Sequence, residues 1–102
     1  MSNSLEDEFH DAMVNIYKRA LEAGYKATYF LQMVNKSGGV ATAKQLINSE
    51  KVSVGFTKLW ELGKLDLTVE ALVQDPKWKS LFTAEEIEKA RKRLDEYKKK
   101  MP

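Results

Sequence analysis

The stretch GGVATAKQLINSEKVSVGFTKLWELGKLDL, Gly38 to Leu67, sets two short apolar-periodic segments between glycine punctuation. Val40, Ala43, Leu46 and Ile47 recur at helical spacing in its first half, and Phe56, Leu59 and Trp60 in its second. Each half therefore predicts a short amphipathic helix. The Gly38-Gly39 pair ends the helix before, Gly63 ends the later one, and the polar run Asn48 to Lys51 is the link between them. Ser53 stands where an N-cap is needed, one residue before the second apolar run.

Working outward, the same punctuation continues. Ser4 predicts the start of a first helix with Leu5, Phe9, Ala12, Met13, Ile16, Ala20 and Leu21 on one face, stopped at Gly24. Its acids Glu6, Asp7 and Glu8 fall in the first turn and Lys18 and Arg19 towards its end, as the helix dipole favours. A second helix is expected over Ala27 to Asn35, burying Ala27, Phe30, Leu31 and Val34. Asp66 or Thr68 starts a short helix through Leu72 and Val73 that Pro76 terminates, and Trp78 to Phe82 form a loose turn plugging the core. Thr83 with Glu86 reads as a capping box. The helix it opens shows Ile87, Ala90, Leu94 and Tyr97 on one face and four-residue pairs such as Glu85 to Lys89, Glu88 to Lys92 and Glu96 to Lys100 on the other. Its stripe is too short for a coiled coil. The expected fold is all-α, a compact single domain over 1–102 of five or six short helices with a longer C-terminal helix, ordered over about 4–98 with flexible ends.

Composition narrows the function classes. A chain of 102 residues that is 43% hydrophobic and 31% charged is a globular chain with one core, burying above roughly 60% of its unfolded surface. With no cysteine, disulfides, thiolate chemistry and sulfur-based zinc sites are excluded. No run approaches the ~18 apolar residues of a membrane helix, and the acidic N-terminus lacks the pattern of a signal peptide, so no membrane partner and a cytoplasmic location are expected.

Candidate chemistry falls away residue by residue. His10, with Glu6, Asp7 and Asp11 nearby, lacks the three convergent ligands a metal needs. Gly38-Gly39 followed by Thr42 and Lys44 lacks the spacing of a phosphate loop, leaving generic anion contact at a helix start. Adjacent carboxylates such as Glu85 and Glu86 sit in a first helical turn, where the dipole accounts for them, and the serines have no histidine close in sequence. No enzyme, cofactor or metal is expected.

Charge is uneven along the chain. Residues 1–23 hold two bases against five acids, residues 24–64 six lysines against two glutamates, and the remainder nine bases against eight acids. If the helices of the central stretch pack as a pair, Lys44, Lys51, Lys58 and Lys64 with Gln45 and Asn48 form one positive face suited to phosphates. Lysines without arginine suit backbone or acidic-partner contact more than base reading. Tyr25 and Tyr29, four residues apart beside Gly24, are candidates for a surface aromatic patch.

The runs GYKATYFLQMVNKSGGVATAKQLI (24–47), GFTKLWELGKLDLTVEALV (55–73) and PKWKSLFTAEEIEKARKRL (76–94) resemble a family of small bacterial all-helical proteins of unknown function. The resemblance runs from Phe9 to Tyr97 and implies a complete domain, a bacterial or phage source and a role beside nuclease or restriction-type defence machinery. It brings no catalytic residues. Two readings stand: a non-enzymatic nucleic-acid-binding accessory using the central lysines on phosphate backbone or an acidic partner, and a protein-protein adaptor or inhibitor docking through an exposed aromatic or helical surface.

Overall fold

Four of the helices begin where a hydroxyl three residues upstream receives a backbone N–H, at Ser4, Ser53 and Thr83 as the sequence predicts and at Thr68, one of the two starts it offers for the short helix through Leu72. A computed structural model describes residues 4–100. Helix α1 (Leu5–Glu22) is capped by Ser4 Oγ accepting from the Asp7 N–H at 3.1 Å. Helix α4 (Val54–Glu61) is capped by Ser53, α5 (Val69–Leu72) by Thr68 and α6 (Ala84–Lys98) by Thr83. At α6 the full box forms: Glu86 N–H donates to Thr83 Oγ1 at 3.0 Å and Thr83 N–H to Glu86 Oε1 at 2.9 Å. Between these lie α2 (Thr28–Ser37) and α3 (Gly39–Asn48), and two 3-10 turns, Leu65–Leu67 and Pro76–Leu81. The described residues are all helix, turn and loop, with no strand. Helix α6, 15 residues, is longer than the four before it, and α1 is longer still at 18. Part of the expected flexible ends, residues 1–3 and 101–102, lies outside the described residues.

Three local details depart from the sequence expectation. Helix α2 runs two residues past the expected Asn35, on to Ser37, up to the Gly38 stop that the sequence predicts, at φ +89°. Pro76 opens the second 3-10 turn instead of ending α5, since a residue without an N–H fits the first position of a helical turn. On α6, Glu88 and Asp95 both pair with Arg91, whose forked guanidinium outcompetes the ammonium of Lys92, and Lys89 Nζ reaches the Asn48 carbonyl at 3.2 Å. The Glu96–Lys100 pair forms as expected, at 3.3 Å.

Helix α3 is the centre of the molecule, packing on α1, α2, α5 and α6. The core combines Phe9 and Met13 of α1, Val34 of α2, Ala43 and Ile47 of α3, and Val69, Val73, Trp78, Phe82 and Ala90. Phe9 meets Trp78 and Phe82 edge to face, with ring centroids 5.2 Å away in each case, so the turn after Pro76 is the plug the sequence predicts. Gly39 is required where α3 crosses α1: a Cβ there would lie 2.7 Å from the His10 Cα. At the end of α4, Gly63 adopts φ +72° and donates to the Trp60 carbonyl while Lys64 N–H closes on the Leu59 carbonyl, the paired bonds of a left-handed helix stop. A smaller cluster, Ala20, Leu59 and Leu67, ties that end of α4 to α1 and the first 3-10 turn.

Candidate interaction groove

The central lysines have separate fates. Lys44 Nζ lies 2.7 Å from Glu86 Oε1 and 5.3 Å from the centre of the Phe82 ring, and Asn48 Nδ2 donates to Glu86 Oε2 at 2.8 Å. Burial alone would raise the Glu86 carboxyl, but donors from Lys44, the Thr83 N–H and Asn48 outweigh it and hold the group at about 2. Lys44 and Asn48 are therefore the joint between α3 and α6. Lys58 lies 3.9 Å from Glu61, and Gln45, Lys51 and Lys64 face solvent. The principal neighbour of α4 is the Leu65–Leu67 turn, whereas α3 is occupied by α1, α2, α5 and α6, so α3 and α4 are not the close pair that a single lysine face presupposes.

The two tyrosines do come together. Residues of α1, α2 and α4, with those following the first 3-10 turn, enclose an open cavity of about 410 Å³. Ile16, Phe30, Met33, Phe56 and Leu59 make its apolar wall, and Tyr25, Tyr29 and Val54 also line it. Tyr25 lies against the start of α4, where a Cβ on Gly55 would be 3.7 Å from its ring. Tyr29, in the first turn of α2, and Val54, the first residue of α4, are each 74% exposed, the most exposed large apolar side chains among the described residues.

Three polar side chains of this wall, Ser53, Thr68 and Glu70, are already engaged. Ser53 Oγ accepts from the Phe56 N–H at 3.0 Å; Thr68 Oγ1 accepts from Ala71 N–H at 3.2 Å and donates to the Leu65 carbonyl at 2.7 Å. Glu70 is only 3% exposed and pairs with Arg93 Nη1 at 3.3 Å. Burial pushes its carboxyl up from the usual value, and neither its own backbone N–H nor Arg93 offsets that. Arg93 also donates to the Leu46 carbonyl at 2.9 Å and to the Ser49 carbonyl, closing the C-terminal end of α3.

Sequence reasoning missed Glu70 and Arg93. For Arg93 a signal existed: Glu86, Ala90, Arg93, Leu94 and Tyr97 continue one helical stripe, and two charged members on a stripe that faces a core need partners there. The only histidine has a structural task, its Nδ1 accepting the Gly39 N–H at 3.1 Å. No group of three or more potential metal ligands occurs among the described residues, and none of their helices is long and apolar enough to cross a membrane. No family model, curated protein or solved structure matches the chain.

Proposed function

We propose that this chain is a non-enzymatic protein-interaction module that takes an apolar segment of a partner protein into the groove beside α2 and α4. The observation that carries the reading is the open apolar cavity with Tyr29 and Val54 exposed in its lining. Large apolar side chains left in water beside a concave apolar surface are the usual mark of a docking site. The engaged state of Ser53, Thr68 and Glu70 also favours binding over chemistry, because the groove offers no free nucleophile paired with a base.

Nucleic-acid contact through Lys51, Lys58 and Lys64 is the competing reading, supported by their exposure on α4 and its flanking loops. Lys44 contributes little to it while it holds Glu86. The two are separated by placing a photo-crosslinking phenylalanine derivative at Tyr29, with a control at Lys99, and measuring nucleic-acid binding across a salt series. Crosslinks to one protein from position 29 only, with no DNA or RNA shift at low salt, support the groove. A shift that falls steeply with salt and is lost when Lys51, Lys58 and Lys64 become glutamine would replace it with the phosphate reading.

A further inference from the structure

His10 is the only histidine of the chain, and its ring joins α1 to the start of α3. Nδ1 accepts the Gly39 N–H at 3.1 Å, which requires the neutral ring with its proton on Nε2, because a protonated nitrogen has no lone pair to offer. The joint is tight: Gly39 is buried, and a Cβ there would lie 2.7 Å from the His10 Cα. Gly38, at the N-cap of α3, has no side chain to take the bond over. His10 itself is half-buried, so protons reach it from solvent.

Protonation reverses the sense of this contact. An imidazolium donates from both nitrogens, so an Nδ1–H would confront the Gly39 N–H, and the charge would stand at the positive end of the α3 dipole. Neighbouring charges do little to offset this. On α1, Glu6 and Asp7 one turn earlier and Asp11 next in the chain are exposed and screened by solvent, and Glu8 pairs with Lys77. Of the elements packed on α1, α2 brings Lys36, α3 Lys44, the Leu65–Leu67 turn Asp66 and the Pro76–Leu81 turn Lys77 and Lys79. Lys44 is held by Glu86, and Lys36, three residues before Gly39, has the sign that opposes an imidazolium.

We infer that His10 is a pH-sensitive latch between α1 and α3, closed while the ring is neutral and open once Nδ1 carries a proton. Histidine side chains change charge between about pH 5 and 8, above the range in which Glu86 gives up its charge. The folded state favours the neutral ring, so the latch contributes fully at the upper end of that range and is lost as pH falls through it. Because α3 packs on α1, α2, α5 and α6, opening the latch loosens the element on which the others rest.

The test compares the wild-type chain with His10→Asn, whose Oδ1 can accept the Gly39 N–H in place of Nδ1 and does not titrate. As pH falls from about 7.5 to about 5, the wild type should lose stability relative to the variant, by roughly threefold to tenfold in the unfolding equilibrium. Glu70 and Glu86 are common to both chains and cancel in the difference. NMR on the wild-type chain gives a second readout that holds whatever the variant does. The ring-nitrogen shifts should show the Nε2–H tautomer at the upper pH, and the Gly39 amide should move with the same midpoint as the imidazole. Stability curves that stay parallel, an Nδ1–H tautomer, or a Gly39 amide indifferent to the imidazole would each overturn the latch.

Discussion

Lys44 of α3 and Glu86 of α6 are ion-paired at 2.7 Å, and the carboxylate that receives the lysine is also the closing member of the α6 capping box. One acid thus serves a local task within its own helix and a long-range one across to α3. If so, Lys44→Ala and Glu86→Gln will be coupled. Urea denaturation of the two single variants and the double variant should give a coupling of about 1 kcal/mol. A coupling indistinguishable from zero would reduce the pair to a surface proximity.

Acid should weaken the fold through Glu86. Its carboxyl is held at about 2, below the ordinary 4.5, so the folded state prefers the ionised form; that contribution is complete above about pH 4.5 and is lost as pH falls towards 2. Glu70 acts with the opposite sign. Its raised value means that folding favours the protonated form, a contribution present below pH 4.5 and lost as pH rises through the native value. In thermal melts stepped over pH, the rise in stability between about pH 2 and 4.5 should flatten in Glu86→Gln, and the decline above about pH 4.5 should flatten in Glu70→Gln. Parallel curves for wild type and Glu86→Gln would show that the carboxylate gains nothing from its donors.

Gly39→Ala decides whether α3 and α1 are as close as described. Helix propensity alone predicts a gain of up to about 1 kcal/mol for this change. The new methyl, however, would lie 2.7 Å from the His10 Cα, a backbone atom that moves only with α1, so the variant should lose about 1–3 kcal/mol. A stabilised variant would mean that the crossing is wider.

Trp60 links α4 to the end of α6. Its indole N–H donates to the Tyr97 carbonyl at 3.0 Å, and its ring meets Tyr97 edge to face at 5.4 Å. Trp60→Phe should cost about 1 kcal/mol for the hydrogen bond. Trp60→Ala should cost about 2–3 kcal/mol, below the range for a fully buried tryptophan because the residue is half-buried. Equal losses in the two variants would make the hydrogen bond the whole of the linkage.

Tyr29→Ser and Val54→Ser should change stability by no more than about 0.5 kcal/mol, since both side chains are largely in water already. Differential scanning calorimetry is the measurement. A drop of several degrees in either would mean that the residue supports the fold and is not held in reserve for a partner.

These expectations divide along a physical line. Ser4, Ser53, Thr68 and Thr83 were legible because a cap acts within three residues of itself, and the glycine stops because a left-handed backbone position names its residue. Helix faces were legible from spacing, as with Phe9, Met13, Ala43 and Ile47. Which helix meets which was not, because an apolar stripe states that it will be covered and not by what. Lys44 read as a free cation because its partner lies 42 residues away, and the groove could not be read at all, since it is the space left when α2 and α4 are each fixed by other elements. Tyr25 and Tyr29, singled out as surface aromatics, both line that space.

Helix α3 differs from α1, α4, α5 and α6 in having no side-chain cap of its own at its first turn. The N–H at its start is received by His10, 29 residues earlier, and carbonyls at its end accept from Arg93, 47 residues after Leu46. A peptide excised as residues 38–49 leaves both ends untied and falls below the length at which isolated helices persist in water. The central element of the domain is thus the one with least autonomy: it becomes helical only as α1 and α6 arrive, which makes folding concerted and should give its amides the slowest hydrogen exchange in the chain.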